Sequence, residues 1–154
     1  MKYCVCESKI GPLTIVSENE EIVRISFGNL QLEYQYDNND KVINDCYEQI
    51  NNYLAGKTCD FTFPYNLKCT DFQRRVLKET LKIPYGKTKS YQDIAIAIGN
   101  PKSSRAVGMA LGKNPLPIVI PCHRVIGKNK KLVGFTGGLD KKVILLEIEE
   151  NNVK

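Results

Sequence analysis

The sequence predicts an α+β protein. A small antiparallel sheet with one helix is expected over residues 1–65, followed by a mainly helical lobe over 66–154 that contains a helix-turn-helix. Three observations carry this. Short apolar runs of period two fill the first thirty residues, two capping-box patterns announce helices at Thr70 and Ser90, and net charge changes sign between the halves. A chain of 154 residues buries roughly 70% of its unfolded surface, enough for two small lobes sharing a core. With 42% hydrophobic and 25% charged residues, collagen-like and disordered classes are excluded.

In the first lobe, Tyr3 and Val5 alternate with polar neighbours. Leu13-Thr14-Ile15-Val16 follows a Gly11-Pro12 turn, and Val23, Ile25 and Phe27 alternate again after a turn over Glu18–Glu21. Such runs predict a three-stranded antiparallel meander. Tyr47, Ile50 and Leu54 then fall at helical spacing within Lys41–Ala55, and Gly56 closes that helix. Phe61 and Phe63 read as a short extended piece before Pro64. No chemistry is visible here; the lobe reads as scaffold.

The second lobe opens with a helix. Thr70 and Gln73 form a capping box ahead of Phe72, Val76, Leu77 and Leu81, and Pro84 ends the run. Ser90 and Asp93 make a second box before Tyr91, Ile94, Ala95 and Ile98, with Gly99 as terminator. After Asn100-Pro101, Ser103 or Ser104 caps a third helix over Arg105–Gly112. These last two helices are the helix-turn-helix. The third alternates Ala106, Gly108, Ala110 and Gly112 with Val107, Met109 and Leu111. It lacks the Asn, Gln and Arg that read base edges, apart from Arg105 near its start and Lys113 at its end. Small residues allow close approach to a nucleic-acid backbone or tight packing in a core.

Beyond it, Pro115 and Pro117 fix an extended loop, and Ile118-Val119-Ile120 reads as a short buried strand. Gly127–Lys131 is a basic loop, and Leu132–Phe135 is a segment able to pair with a neighbour. The last helix is expected over Leu139–Glu150 with Leu139, Val143 and Leu146 inward. Glu149 falls beside that stripe, either solvated at the helix end or a buried partner for a cation.

Residues 1–65 carry five basic and ten acidic side chains, a net −5, and residues 66–154 carry seventeen and seven, a net +10. A basic half points to a polyanion, above all nucleic acid, or to a solvated lysine-rich surface. The six cysteines (4, 6, 46, 59, 69 and 122) include no C-x-x-C pair, and the single histidine is His123. No metal site and no disulfide framework are expected. The longest apolar runs are far below a membrane span and no signal-peptide core precedes Glu7, so a cytoplasmic location is expected.

Cys122 differs from the other cysteines because His123 and Arg124 follow it. A cysteine reacts as thiolate and needs a base or positive charge to become one. Adjacent residues of an extended chain point to opposite sides, so a bridging water is expected between His123 and Cys122, with Glu149 orienting the imidazole.

Ile120-Pro121-Cys122-His123-Arg124-Val125 resembles the active-site motif of the O6-alkylguanine-DNA alkyltransferases. Tyr85-Gly86, Ser90-Tyr91, Gly99-Asn100-Pro101, Ser104-Arg105-Ala106-Val107-Gly108, Asn114-Pro115, Gly137-Gly138-Leu139 and Glu149 stand in family order, so the likeness covers about Thr70 to Glu150. The resemblance implies a ribonuclease H-like first lobe and direct-reversal DNA repair. The alkyl group of O6-alkylguanine would pass irreversibly to Cys122 after nucleotide flipping, and the resemblance leaves O4-alkylthymine open as a second substrate. His123 and Glu149 would relay the thiol proton, Asn114 would brace the loop, and Tyr91 would hydrogen-bond the leaving guanine. Arg105 would fill the vacated stack, with Ser104, Ala106, Gly108 and Lys113 against DNA. Pro117, Val125, Phe135 and Thr136 would line the base pocket beside Tyr91. The implied partner is double-stranded DNA carrying the lesion, met by a monomer without cofactor, metal or membrane. In this chain Phe135 and Thr136 stand where some relatives have Tyr and Ser. The alternatives are a non-catalytic sensor of alkylated DNA, a helix-turn-helix regulator and a thiol hydrolase, which would turn over.

Overall fold

The computed structural model describes residues 1–127 and 138–153. The chain divides into two compact units, Met1–Lys68 and Cys69–Lys154.

The first unit is built on the expected meander: β1 (Lys2–Ser8), β2 (Gly11–Glu18) and β3 (Glu21–Phe27), each antiparallel to the next. Asn19 and Glu20 both adopt positive φ, 51° and 65°, the handedness that lets a two-residue turn match strand twist. A fourth strand departs from the purely antiparallel expectation. The short β4 (Gln35–Tyr36) pairs parallel to β1, giving the order β3-β2-β1-β4. Two residues carry too little periodicity to announce a strand. Helix α1 (Lys41–Leu54) is capped by Asp40, whose carboxylate accepts from the Ile43 N–H at 3.1 Å. It lies against β1, β2 and β3 and buries Ile43, Cys46, Ile50, Tyr53 and Leu54. Tyr47, expected on the apolar stripe, is only half-buried and donates its hydroxyl to the Glu7 carbonyl. Tyr3, Val16 and Val23 form a smaller cluster with Val5 and Leu32. The extended segment after α1 bonds to the start of β3 through Ile22 N–H to Pro64 O, 3.0 Å, and Asn66 N–H to Ile22 O, 2.9 Å.

The second unit places α2 (Asp71–Leu81), α3 (Tyr91–Ala97) and α4 (Ser104–Gly112) in mutual contact. Both capping boxes form, Thr70 with Gln73 and Ser90 with Asp93. In α2 the inward face takes Thr80, whose hydroxyl satisfies the Val76 carbonyl at 2.8 Å, while Leu81 is exposed. Ser103 occupies the N-cap of α4 without capping it; its hydroxyl donates to the Asn100 carbonyl at 2.6 Å instead. A two-stranded parallel pair joins β5 (Lys89–Ser90) to β6 (Val125–Ile126).

Two expectations are corrected here. Ile118 and Val119 form a turn, closed by a single bridge between Pro117 and Ile120, and not a strand, and Ile118 sits at φ +74°. Asn114 supplies what a neighbouring strand would: its amide donates to Ile120 O at 3.0 Å and its carbonyl accepts from Leu116 N–H at 2.9 Å. In α5 (Leu139–Asn152) the buried residues are Lys142, Leu145, Ile148 and Glu149, and Leu139 is exposed. The helix is turned so that Lys142 and Glu149, with Leu145 and Ile148, face inward, and not the Leu139-Val143-Leu146 row. The basic loop from 128, the segment Leu132–Phe135 and the pocket residues Phe135 and Thr136 lie outside the described residues.

Candidate active site

Cys122, His123 and Arg124 form one turn of 3-10 helix directly before β6. The expectation of extended backbone there fails, because Pro121, at φ −79° and ψ 61°, starts the turn and its carbonyl accepts the Arg124 N–H at 2.9 Å. All three side chains are buried, with His123 at 0% exposure.

Glu149 is the hub of this cluster. Its carboxylate is 1% exposed and accepts from His123 Nε2 at 2.6 Å, from Arg124 Nε at 2.8 and 3.0 Å, from Arg124 Nη2 at 2.9 Å and from the Gly86 N–H at 3.0 Å. The sequence left Glu149 open between a solvated residue and a buried partner. It is a buried partner, and charge-assisted bonds of this kind are what make a buried carboxylate tolerable. Arg124 is held in turn by the Ile83 carbonyl at 2.7 Å and by the Tyr85 ring, 5.6 Å from the guanidinium carbon. Gly86 is required at its place: φ is +79°, and a Cβ there would meet Val153 Cγ2 at 2.1 Å.

Burial pushes the Cys122 thiol up to about 11, against the pull of Asn114, Lys142 and nearby backbone N–H groups. It is therefore a thiol at neutral pH and needs a proton acceptor to react. Burial also lowers His123, outweighing the opposite pull of Glu149. The imidazole is neutral at neutral pH. With Nε2–H donating to Glu149, Nδ1 carries the lone pair. The protein thus places a neutral imidazole next in chain to a protonated thiol.

Lys142 is the functional residue that sequence reasoning missed. It is 0% exposed, donates Nζ to the Val125 carbonyl at 2.7 Å and lies 5.8 Å from the Tyr91 ring centroid. Its charge favours the Cys122 thiolate, and burial lowers its own pKa. A lysine in a helix pattern reads as solvated, and no signal in the sequence marks it.

The other predicted site residues fall into two groups. Tyr91 at the start of α3 is half-buried, and Val125 at the start of β6, Pro117 and Asn114 are buried. Burial raises the Tyr91 hydroxyl, so it is a donor at neutral pH. Arg105, Ala106 and Lys113 are exposed along α4 or at its end, and Ser104 is half-buried. Gly108 points the other way: a Cβ there would stand 3.8 Å from the Tyr91 ring. Among the described residues, no helix is long and apolar enough to cross a membrane.

Two family models match successive parts of the chain. Residues 1–67 match the ribonuclease-like domain of 6-O-methylguanine DNA methyltransferase, and residues 71–151 match its DNA binding domain. The methylated-DNA–protein-cysteine methyltransferase of Methanosarcina barkeri is 40% identical over 158 residues, covering all of both chains. That of Metallosphaera sedula is 41% identical over 155 residues, covering 100% of this chain and 96% of its own. Among solved structures, Mycobacterium tuberculosis OGT in complex with DNA superposes with a TM-score of 0.92 at 40% identity, over 99% of this chain and 94% of that one. On these matches the chain belongs to the methylated-DNA–protein-cysteine methyltransferases.

Proposed function

We propose that this protein repairs O6-alkylguanine in double-stranded DNA by taking the alkyl group onto Cys122, once per chain. The observation that carries the reading is the buried Cys122-His123-Arg124 turn anchored on Glu149, which pairs a protonated thiol with a neutral imidazole. The thiol proton passes through a bridging water to His123 Nδ1, and the imidazolium is stabilised by Glu149. The thiolate, with Lys142 as counter-charge, attacks the alkyl carbon; the carbon–sulfur bond forms as the carbon–O6 bond breaks. Guanine leaves as an anion, met by the Tyr91 hydroxyl, and regains a proton from the site or solvent. A thioether at Cys122 has no further leaving step, so the reaction stops after one event. No cofactor enters this balance.

The O6 atom lies within the base stack, so the nucleotide is extruded into the site before transfer. Extrusion costs a few kcal/mol, which Arg105 offsets by entering the duplex from the minor groove and occupying the vacated space. The exposed Arg105, Ala106 and Lys113 of α4, in a half of net charge +10, support this face as the DNA side. Its scarcity of base-reading side chains suits action at any sequence.

The test is stoichiometry. With O6-methylguanine duplex in excess, restored guanine should equal the protein added and then stop. Continued turnover would identify a hydrolase, and duplex bound without any guanine restored would identify a sensor.

A further inference from the structure

We infer that Met109 is a specificity-determining contact for duplex DNA. Its thioether side chain enters the minor groove one turn from Arg105 and helps hold the duplex in the opened form. This rests on the reading of α4 as the DNA-facing helix and adds a residue to it.

The inward side of α4 is Val107, Ala110 and Leu111, between 0% and 5% exposed. The outward side is Arg105, Ala106, Met109 and Gly112, with Lys113 just beyond. Arg105, Met109 and Lys113 are spaced i, i+4, i+8 and so share one face. Met109 is 65% exposed, more than any other large hydrophobic residue among those described. Its neighbours on the face, Ala106 and Gly112, have no side chain beyond Cβ, and nothing lies within 4 Å of where a Gly112 Cβ would stand. Between the two cations the methionine is therefore the apolar side chain that projects from a low surface.

The flanking charge selects the occupant. No acidic residue lies between Asn100 and Lys113, whereas Lys102, Arg105 and Lys113 do. Arg105 and Lys113 stand eight residues, about 12 Å, apart along the axis, and the minor groove is about 6 Å wide. A helix crossing the groove sets Lys113 over a phosphate ridge while Arg105 reaches the vacated stack, and Met109 lies over the floor between them. Apolar wedges, methionine among them, partly unstack base steps from that side. A flexible, polarisable thioether adapts to any step, as a repair protein indifferent to sequence requires.

The experiment compares single-turnover transfer from an O6-methylguanine duplex with transfer from free O6-benzylguanine, for wild type, Met109→Ala and Met109→Leu. Met109→Ala should slow the duplex reaction about tenfold, the scale of one apolar side chain's contact, and leave the free-base rate unchanged. Met109→Leu should retain most of the duplex rate, and 2-aminopurine beside the lesion should report less unstacking with Met109→Ala than with wild type. A wild-type duplex rate for Met109→Ala, or equal losses on both substrates, overturns the inference while leaving the transfer reading intact. A wild-type protein that takes no alkyl group from the duplex overturns both.

Discussion

One carboxylate, Glu149, serves the imidazole of His123, the guanidinium of Arg124 and the backbone of Gly86 at once. Its loss therefore has two consequences that can be measured apart. Glu149→Gln should lower stability by about 3–5 kcal/mol, because it strands a buried guanidinium, and a thermal melt reads this. His123→Ala leaves the Arg124–Glu149 pair in place and should cost less stability. For transfer, measured where every variant is folded, the two changes should act as a unit, and the double variant should be little slower than the slower single. Additive losses would contradict the relay. The pH dependence follows from the same burial. Because desolvation lowers His123, the folded protein releases the imidazole proton at lower pH than a free histidine does. The rate should stay flat through neutrality and fall only below the ordinary histidine value of about 6.5. An acid limb centred at or above that value would contradict a buried neutral base. Cys122, His123 and Glu149 were legible from the motif and its spacing. Lys142 was not, since apolar periodicity favours the Leu139-Val143-Leu146 row and is blind to a buried face that carries Lys142 and Glu149.

At the scale of elements, chemistry follows from short turns more than from long helices. The sequence marked α2 and α3 through their capping boxes, because those side chains act within four residues. It misread Ile118–Ile120, whose β-branched run between prolines looks like a strand. Asn114 reaches across six residues to bond the Ile120 carbonyl, a side-chain-to-backbone bond that local patterns do not encode. It also missed β4, whose pairing with β1 spans more than thirty residues. Helix α4 presents Arg105 outward near its start and packs Gly108 toward Tyr91, joining the proposed DNA face to the proposed base pocket within one element. Arg105→Ala should accordingly reduce single-turnover transfer from duplex much more than transfer from free O6-benzylguanine, which needs no flipping. Binding to undamaged duplex should weaken only modestly, as other Lys and Arg side chains still meet phosphate. Equal fractional losses on the two substrates would make Arg105 a support of the fold or pocket.

Across the whole molecule the division of labour follows charge. The first sixty-five residues, at −5, form a sheet and helix, while the rest, at +10, carry the described cluster and the basic helix face. That asymmetry and the alternation of the first strands make the two-part α+β organisation readable in the sequence. Cys4, Cys6 and Cys46 are buried, with the Cys6 thiol pushed up to about 12 by burial, and Cys59 and Cys69 lie at or near the surface. Cys122 alone has a base, a counter-charge and a fixed turn about it. The central claim is that this one sulfur takes the alkyl group. Peptide mass mapping after incubation with O6-methylguanine duplex tests it most directly. The account predicts a single methyl group per chain, on the peptide containing Cys122, and none in Cys122→Ser although that variant still binds DNA. A methyl group on Cys4, Cys6, Cys46, Cys59 or Cys69, or an undiminished transfer by Cys122→Ser, would contradict it.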